Sequence, residues 1–298
     1  MQLTLTTAPT TDPVALAEVR KWLNFTDGIV EDDGVLETLI DWAYTHLENQ
    51  TNRKYLGQTW TYTIDSAAIS NVIRLPLVPL ASVTSITTTD DDDADSVVTA
   101  TNYQVRAGEN PRIVLAPDGE WPTDEREYDS MAIVCVCGYG GDTVPHVGFQ
   151  PADSDDPGLD DLSASGTFTG TARTTFQVKV TTAGGTDYFK YRKVTKDANG
   201  VKTFAAWSSA TAMTGSAQLM ADGMSVTFAE TTEHTLDDQW NVQMYEVTNS
   251  EVAAIISELV LYKYNTKGQG ITETVSGQLI GLPRNLQQRI DSLRVESW

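Results

Sequence analysis

The stretch from Asp32 to Trp60, DDGVLETLIDWAYTHLENQTNRKYLGQTW, constrains the fold more than any other in the chain. Val35, Leu36, Leu39, Ile40, Ala43 and Leu47 recur at three- and four-residue steps, so they share one stripe of a long helix. Glu37, Asp41, Thr45 and Glu48 take the wetted side. Asp32 and Asp33 stand where the unpaired N–H groups of a first turn favour negative charge. The pattern predicts a helix ending near Asn52, with Gly57-Gln58-Thr59-Trp60 opening a strand through TWTYTI. A helix with one apolar face needs a cover. β-rich segments and a second helical region are available to supply it.

A chain of 298 residues is long enough for two domains, or for one carrying a large insertion. No apolar run approaches the roughly twenty residues of a membrane span, and MQLTLTTAPT lacks a charged-then-apolar leader pattern. The formal charge of −21 is unevenly spread. Residues 1–145 hold 23 acidic against 8 basic residues, residues 146–248 hold 13 against 7, and residues 249–298 hold 5 of each. An acidic body argues against electrostatic binding of nucleic acid, which needs Lys and Arg to replace phosphate counterions. It is compatible with a surface past which DNA slides without sticking. Cys135 and Cys137, in MAIVCVCGYG, point to one face of a strand at a spacing too strained for a disulfide, and read as small core residues.

In chain order, residues 1–11 read as an extended arm, and Thr11-Asp12-Pro13 reads as a helix start before VALAEVRKWLNF. Thr26 to Glu31 is a turn into the long helix. From Gln58 the pattern alternates, with strands expected at 59–65, 71–76, 82–89, 97–99, 103–106, 112–116 and 131–137. The acidic run Asp90-Asp91-Asp92-Asp93 falls at a hairpin tip. It lacks the Gly and distal Glu of a calcium loop and reads as a solvated turn. GYGGDTVP and ADSDDPGLDDLSASG mark a break, with 146–165 as an acidic linker. Residues 166–248 then give short alternating segments punctuated by AGGTD, DANG and ADG, the pattern of a compact β-sandwich. The helical period returns in EVAAIISELVLYKYNT, capped by Asn249-Ser250, with Val252, Ile255, Ile256, Leu259 and Val260 apolar. TKGQGITETVSGQLIG reads as a loop or hairpin, and Pro283 opens a last helix with Leu286, Ile290 and Leu293 on one side.

Catalytic groupings do not stand out. G-x-S-x-G, H-E-x-x-H and GxxxxGK[ST] are all missing from the sequence. His46 and Glu48 are two residues apart on the long helix and so project about 200° apart. His146 borders the linker and His234 sits in the TTEHTLDD turn, with no metal-ligand spacing around them. Trp22, Trp42, Trp207, Tyr188 and Tyr191 are read first as packing residues and second as a sugar platform. The expectation is a non-enzyme without cofactor or metal.

The order of motifs resembles the head–tail connector (adaptor, or head-completion) family of tailed double-stranded-DNA phages. Its carriers begin with Leu39, Ala43 and Glu48 of the long helix, then Thr51-Asn52-Arg53 and Gln58-Thr59-Trp60. Ile73-Arg74-Leu75-Pro76, Pro79-Leu80, Val83 and Ile86 follow. Tyr103-Gln104-Val105, Pro111, Trp121-Pro122, Gly138-Tyr139-Gly140 and Val144-Pro145 complete the first part. After about a hundred residues come EVAAIISELVLYKYN and Leu282-Pro283 through Leu286, Ile290 and Leu293-Arg294. Asn52 stands where the family usually has Gly, and 166–248 has no place in the family's minimal pattern.

The resemblance implies an α+β fold: a helical connector domain with a small antiparallel β-sheet (1–145 and 249–298), interrupted by an inserted all-β sandwich (166–248). It implies a structural virion subunit, assembled in the host cytoplasm into a twelve-copy ring at the head–tail junction. The ring joins the portal protein to a tail completion or terminator protein and extends the channel for passing double-stranded DNA, with no membrane partner. On this reading Arg284, Arg289, Arg294, Leu286, Ile290 and Leu293 meet the portal. Trp42, Tyr44 and Trp60 are subunit-interface candidates, and Asp90, Asp91, Asp92 and Asp93 are channel-lining candidates. The competing reading is a virion surface protein whose sandwich recognises carbohydrate or another capsid or tail protein.

Overall fold

The computed structural model describes residues 1–25, 32–123, 125–141, 143–153, 158–197, 200–246, 250–266 and 282–295. The turn expected at 26–31, the Asn249 side of the expected cap and most of TKGQGITETVSGQLIG lie outside the described residues. The chain divides into two compact units. The first is Met1–Pro9, Glu48–Gly141 and Ile290–Trp298, and the second is Thr10–Leu47 and Asp142–Arg289.

In the first unit, β1 (Gln2–Thr7), β2 (Gln58–Ile64), β3 (Val72–Arg74), β4 (Leu80–Thr89), β5 (Asp95–Val97), β6 (Tyr103–Arg106), β7 (Arg112–Leu115) and β8 (Met131–Cys137) form two antiparallel sheets. One runs β1-β2-β8-β4-β5 and the other β3-β7-β6. Strict alternation along MAIVCVC sends Met131, Ile133, Cys135 and Cys137 inward from the central strand β8. They meet Ile64, Ile86, Ile73 and Ile113, so both sheets share one core. Residues 1–11 are therefore more than an arm. β1 pairs along β2 as an edge strand.

The second unit holds β9 (Thr143–Gln150), β10 (Leu162–Gly166), β11 (Arg173–Thr182), β12 (Tyr188–Lys196), β13 (Lys202–Phe204), β14 (Thr211–Ala212), β15 (Gln218–Leu219), β16 (Met224–Phe228) and β17 (Gln239–Glu246). The larger sheet runs β13-β12-β11-β17-β9, with β14 beside β12, and the smaller runs β10-β16-β15. Phe176, Val178, Trp240 and Val242 of the larger sheet pack on Val226 and Phe228 of the smaller, a sandwich core. Residues 146–165 supply strand at both ends of that stretch, in β9 and β10.

Four α-helices occur among the described residues: α1 (Leu16–Trp22), α2 (Asp33–Thr51), α3 (Ser250–Asn265) and α4 (Arg284–Ser292). α2 buries Leu36, Ile40, Ala43 and Leu47 and leaves Val35 exposed. α3 lies against α1 and buries Val252, Ile255, Ile256, Leu259 and Val260. α1 begins later than Thr11-Asp12-Pro13 implies. The Asp12 N–H donates to Met244 O at 3.2 Å and Asp12 O accepts from Glu246 N–H at 3.2 Å, so β17 holds this backbone extended.

The fold class expected from sequence is overturned. Among the described residues the protein is mostly β, with four sheets and 39% strand, rather than a helical connector domain carrying a small sheet. The physical reason lies in the first unit's core. The buried members of the cluster around β8 come from strands and their connections, and among the described residues no α-helical side chain belongs to that cluster.

Candidate functional site

Residues that carry the connector resemblance meet in the first unit around the end of α2. Asn52 adopts φ 55°, a left-handed conformation that Asn tolerates, and turns the chain out of the helix. The Glu48 carboxylate, buried, accepts from Lys54 Nζ at 2.8 Å, Gln58 Nε2 at 3.0 Å and the Tyr55 N–H at 3.3 Å. It thereby locks the helix end to the start of β2. Gln58 Oε1 in turn accepts from Trp60 Nε1 at 2.9 Å, and Lys54 Nζ lies 5.0 Å from the Trp60 ring centroid.

The Arg53 guanidinium spans three of the motifs. Its Nε donates to Leu293 O at 2.5 Å, and its Nη1 bonds the Glu109 carboxylate and the Tyr139 hydroxyl, the latter at 2.6 Å. The Asn52 amide donates to Val295 O at 3.1 Å, and the Val295 N–H to Thr51 O at 2.9 Å. Gly138 (φ 110°) passes so close to Leu56 O that a Cβ there would sit 2.2 Å from it. Its N–H donates to Pro79 O at 3.0 Å, and the Tyr139 ring stacks on Tyr55 with centroids 6.1 Å apart.

The other sequence-derived candidates fall in different settings. Leu286 and Ile290 of α4 are buried, Leu293 is half-buried, and Arg284 and Arg294 are exposed. Arg289 bonds Glu251 at 2.7 Å and Glu258 at 2.5 Å, which holds its own pKa above the ordinary arginine value. Trp42 is half-buried, stacked on His46 with Lys263 Nζ 5.3 Å from its ring centroid. Burial and then the Lys263 ammonium lower the His46 pKa. Tyr44 and Trp60 are half-buried. At the hairpin tip Asp90 is half-buried and Asp91, Asp92 and Asp93 are exposed. Asp90 Oδ1 accepts the N–H groups of Asp92 and Ala94, and Asp93 pairs with Arg126 at 2.9 Å.

His234 is buried in the second unit between two carboxylates. Nδ1 lies 2.9 Å from Asp187 Oδ2 and Nε2 lies 3.0 Å from Asp161 Oδ1. Burial works to raise the Asp187 pKa. The N–H groups of Gly184 and His234 and the imidazole outweigh it and hold the carboxyl below its ordinary value. Both ring nitrogens are occupied by carboxylates, so neither is free to take a proton from a nucleophile. The cluster is a structural clamp on the sandwich. Among the described residues no group of three or more His, Cys, Asp or Glu is arranged to hold a metal ion.

The second unit also holds a partly open pocket of about 250 Å³ lined by charges of both signs, including Asp12, Arg20, Asp33, Glu37, Arg173 and Lys196. These charges close on one another. Arg173 bonds Asp12 and, at 2.7 Å, Asp41; Lys196 reaches Asp41 at 2.5 Å, and Arg20 lies 2.9 Å from Asp33. Burial pushes the Asp33 carboxyl up to about 6 in spite of Arg20. Sequence reading missed the Arg53, Arg173 and His234 networks. Each is a basic residue whose partners lie tens to hundreds of positions away, and no local spacing records them.

No family model and no curated protein matches the sequence. Similar solved structures include a chain in the neck of an empty GTA particle computed with C6 symmetry. It is 18% identical, covers 47% of this chain and 72% of that one, and has a TM-score of 0.41. Another is a chain of the virion of the native gene transfer agent (GTA) particle, 19% identical over 47% of this chain and 72% of that one, with a TM-score of 0.40. A third, from the neck of the native GTA particle computed with C12 symmetry, is 20% identical over 47% of this chain and 71% of that one, with a TM-score of 0.40.

Proposed function

We propose that this chain is a structural subunit of the head–tail junction of a tailed, double-stranded-DNA phage-like particle, forming the adaptor ring that joins portal to tail. The observation that carries the reading is the convergence at Arg53. Thr51-Asn52-Arg53, Gly138-Tyr139 and Leu293-Arg294, which each contribute to the resemblance, are bonded to one another within a single unit. Motifs that depend on each other for their hydrogen bonds are a fold signature rather than a chance series.

The ring is of twelve copies and extends the DNA channel, with acidic side chains of 1–145, Asp90–Asp93 among them, facing the duplex. Like charge leaves no ionic contacts to slow DNA passage. Arg284 on the last helix and Arg294 just past its end are exposed and are the arginines open to the portal, whereas Arg289 is engaged by Glu251 and Glu258. Trp42, Tyr44 and Trp60 remain the candidates for contacts between neighbours.

The test is to locate the chain in intact particles by cryo-EM. A ring between portal and tail is the expected result. Density only on the shell or on fibres, or no place in the particle, would overturn the reading. Reversing charge at Arg284 and Arg294 is expected to weaken portal binding. Unchanged binding would remove those two residues from the interface.

A further inference from the structure

Residues 146–248 carry seven Lys and Arg side chains, and six of them share one face of the larger sheet. The register sets Arg173 opposite Lys196, Gln177 opposite Arg192 and Lys179 opposite Lys190 on β11 and β12. Lys196 in turn lies opposite Lys202 on β13. Side chains at these positions alternate with the buried Phe176, Val178 and Val180, so all six project away from the sandwich core. The seventh, Lys193, is on the inner side and pairs with Asp222 at 2.5 Å. Like charges directly opposite each other on neighbouring strands repel, so such a face needs anions laid over it.

Half of the face has them. Asp12 and Asp41 take Arg173, Asp41 also takes Lys196, and Glu37 takes Lys202. The other half is Lys179, Lys190 and Arg192, flanked by Gln239 and Asn241 of β17. Only Lys179 has a carboxylate among the described residues, Asp237 at 2.8 Å, itself 59% exposed. Arg192 is held flat, with Nε on Gln177 Oε1 at 2.7 Å and its guanidinium carbon 4.8 Å and 4.6 Å from the ring centroids of Phe204 and Trp207. Phe204 is 52% exposed and Tyr188 38% exposed beside it. A guanidinium oriented by two rings and an amide loses little freedom on meeting a carboxylate.

We infer that this half of the basic face docks acidic side chains of residues 1–145 of a second copy of the chain, other than those that line the channel. The argument is charge complementarity. Copies at −21 repel in general, so association needs a local patch of opposite sign, and 1–145 holds 23 acidic against 8 basic residues. The same face already receives carboxylates of its own chain, from Asp12, Glu37 and Asp41. Patch and complement are different surfaces, so the contact is heterologous and repeats from copy to copy, closing into a ring when the rotation allows. The inference deepens the adaptor reading and rests on it for the ring.

The experiment mixes full-length chain in ordinary and 15N-labelled form at low ionic strength. A zero-length carbodiimide couples Lys amines to carboxylates, and mass spectrometry reads the products, with oligomeric state followed by sedimentation. Expected are mixed-isotope links from Lys179 or Lys190 to Asp or Glu of 1–145, and association that high salt disperses. K190E/R192E should weaken association at least about tenfold, in line with charge reversal at an interface. K190E alone, which leaves the Arg192 stack intact, should weaken it in the same direction. Thermal melting checks that both variants are folded.

Oligomers that persist in K190E and K190E/R192E, or that give no mixed-isotope links at Lys179 and Lys190, overturn the inference and leave the adaptor reading standing. A monomeric wild type that binds an anionic polysaccharide through these residues overturns it too, and makes the face a glycan site. Absence of the chain from the head–tail junction defeats the adaptor reading by itself, whatever the cross-links show.

Discussion

Arg53 Nε donates to the carbonyl oxygen of Leu293 at 2.5 Å, joining positions 240 residues apart. The same guanidinium holds Glu109 and Tyr139, so one side chain gathers the end of α2, a turn before β7 and the chain after β8. Its side chain is 17% exposed, and at that depth a charge-assisted hydrogen bond counts for more than one in open water. Arg53 therefore fastens the last described residues of the chain together with Thr51 and Asn52, which bond Val295.

Arg53→Ala should cost about 1.5–3 kcal/mol of stability, the range for hydrogen bonds to a charged group. Hydrogen exchange would report the loss locally, as faster exchange at Val295 and Tyr139. Arg53→Lys should recover less than half, because an ammonium lacks the planar fork that reaches Leu293 O and Glu109 together. Full recovery with Lys would mean that charge alone, and not geometry, makes the fastening.

Gly138→Ala should be far more damaging than an ordinary surface change. At φ 110° an L side chain is strained, and the added methyl would lie 2.2 Å from Leu56 O, a backbone atom that cannot swing aside. A loss of at least about 2 kcal/mol is expected, read as a lowered midpoint in urea. Gly140→Ala is the control. Its φ of 61° also favours glycine, but nothing lies within 4 Å of its added Cβ, so it should cost less.

How much of this was legible in the sequence depends on the range of the interaction. The stripes of α2 and α3 repeat every three or four residues, and the side chains they nominate are mostly buried, with Val35 exposed and Leu39 half-buried as the exceptions. β9 was hidden because TVPHVGFQ carries a Pro and a Gly. It lies at the edge of its sheet, where a missing ladder N–H is tolerated. The start of α1 was misread because Asp12 has a strand partner more than two hundred residues away. The fold class was misjudged because the helical connector domain that the resemblance implies outweighed the many short strands that the alternation between 59 and 137 itself predicts. Arg53 could be placed in a motif, but its partners Glu109, Tyr139 and Leu293 could not be named.

Cys135 and Cys137 should be silent toward thiol reagents in the folded protein. Both are fully buried in β8, with Sγ contacts of 3.6 Å to Trp60 O and Gln58 O. Burial raises their pKa values to about 11 and about 12, so the thiolate that reacts is scarce near neutral pH. An aromatic disulfide reagent should label neither residue in native protein and both in denaturant. The labelling rate then measures opening of the β2-β8-β4 centre of the first unit. Rapid labelling under native conditions would show that this centre opens on its own.

Asp33 should make the second unit's stability depend on pH in an unusual direction for a carboxylate. Burial raises its pKa from 3.8 to about 6, against the attraction of Arg20 2.9 Å away, with Glu37 adding to the rise and Lys202 opposing it. A group whose folded pKa exceeds its unfolded one binds its proton more tightly when folded. Its contribution is thus present below about pH 4 and is lost as pH rises through about 6. Asp33→Asn fixes the neutral form and can still accept from Arg20. Between about pH 4 and pH 7 the stability gap should therefore move in the variant's favour by about 1–2 kcal/mol, after allowance for solvent screening. Urea unfolding of both proteins across that range measures it. A gap that stays flat, or that moves toward the wild type, would mean that Arg20 holds the carboxylate charged throughout and that the pair is an ordinary salt bridge.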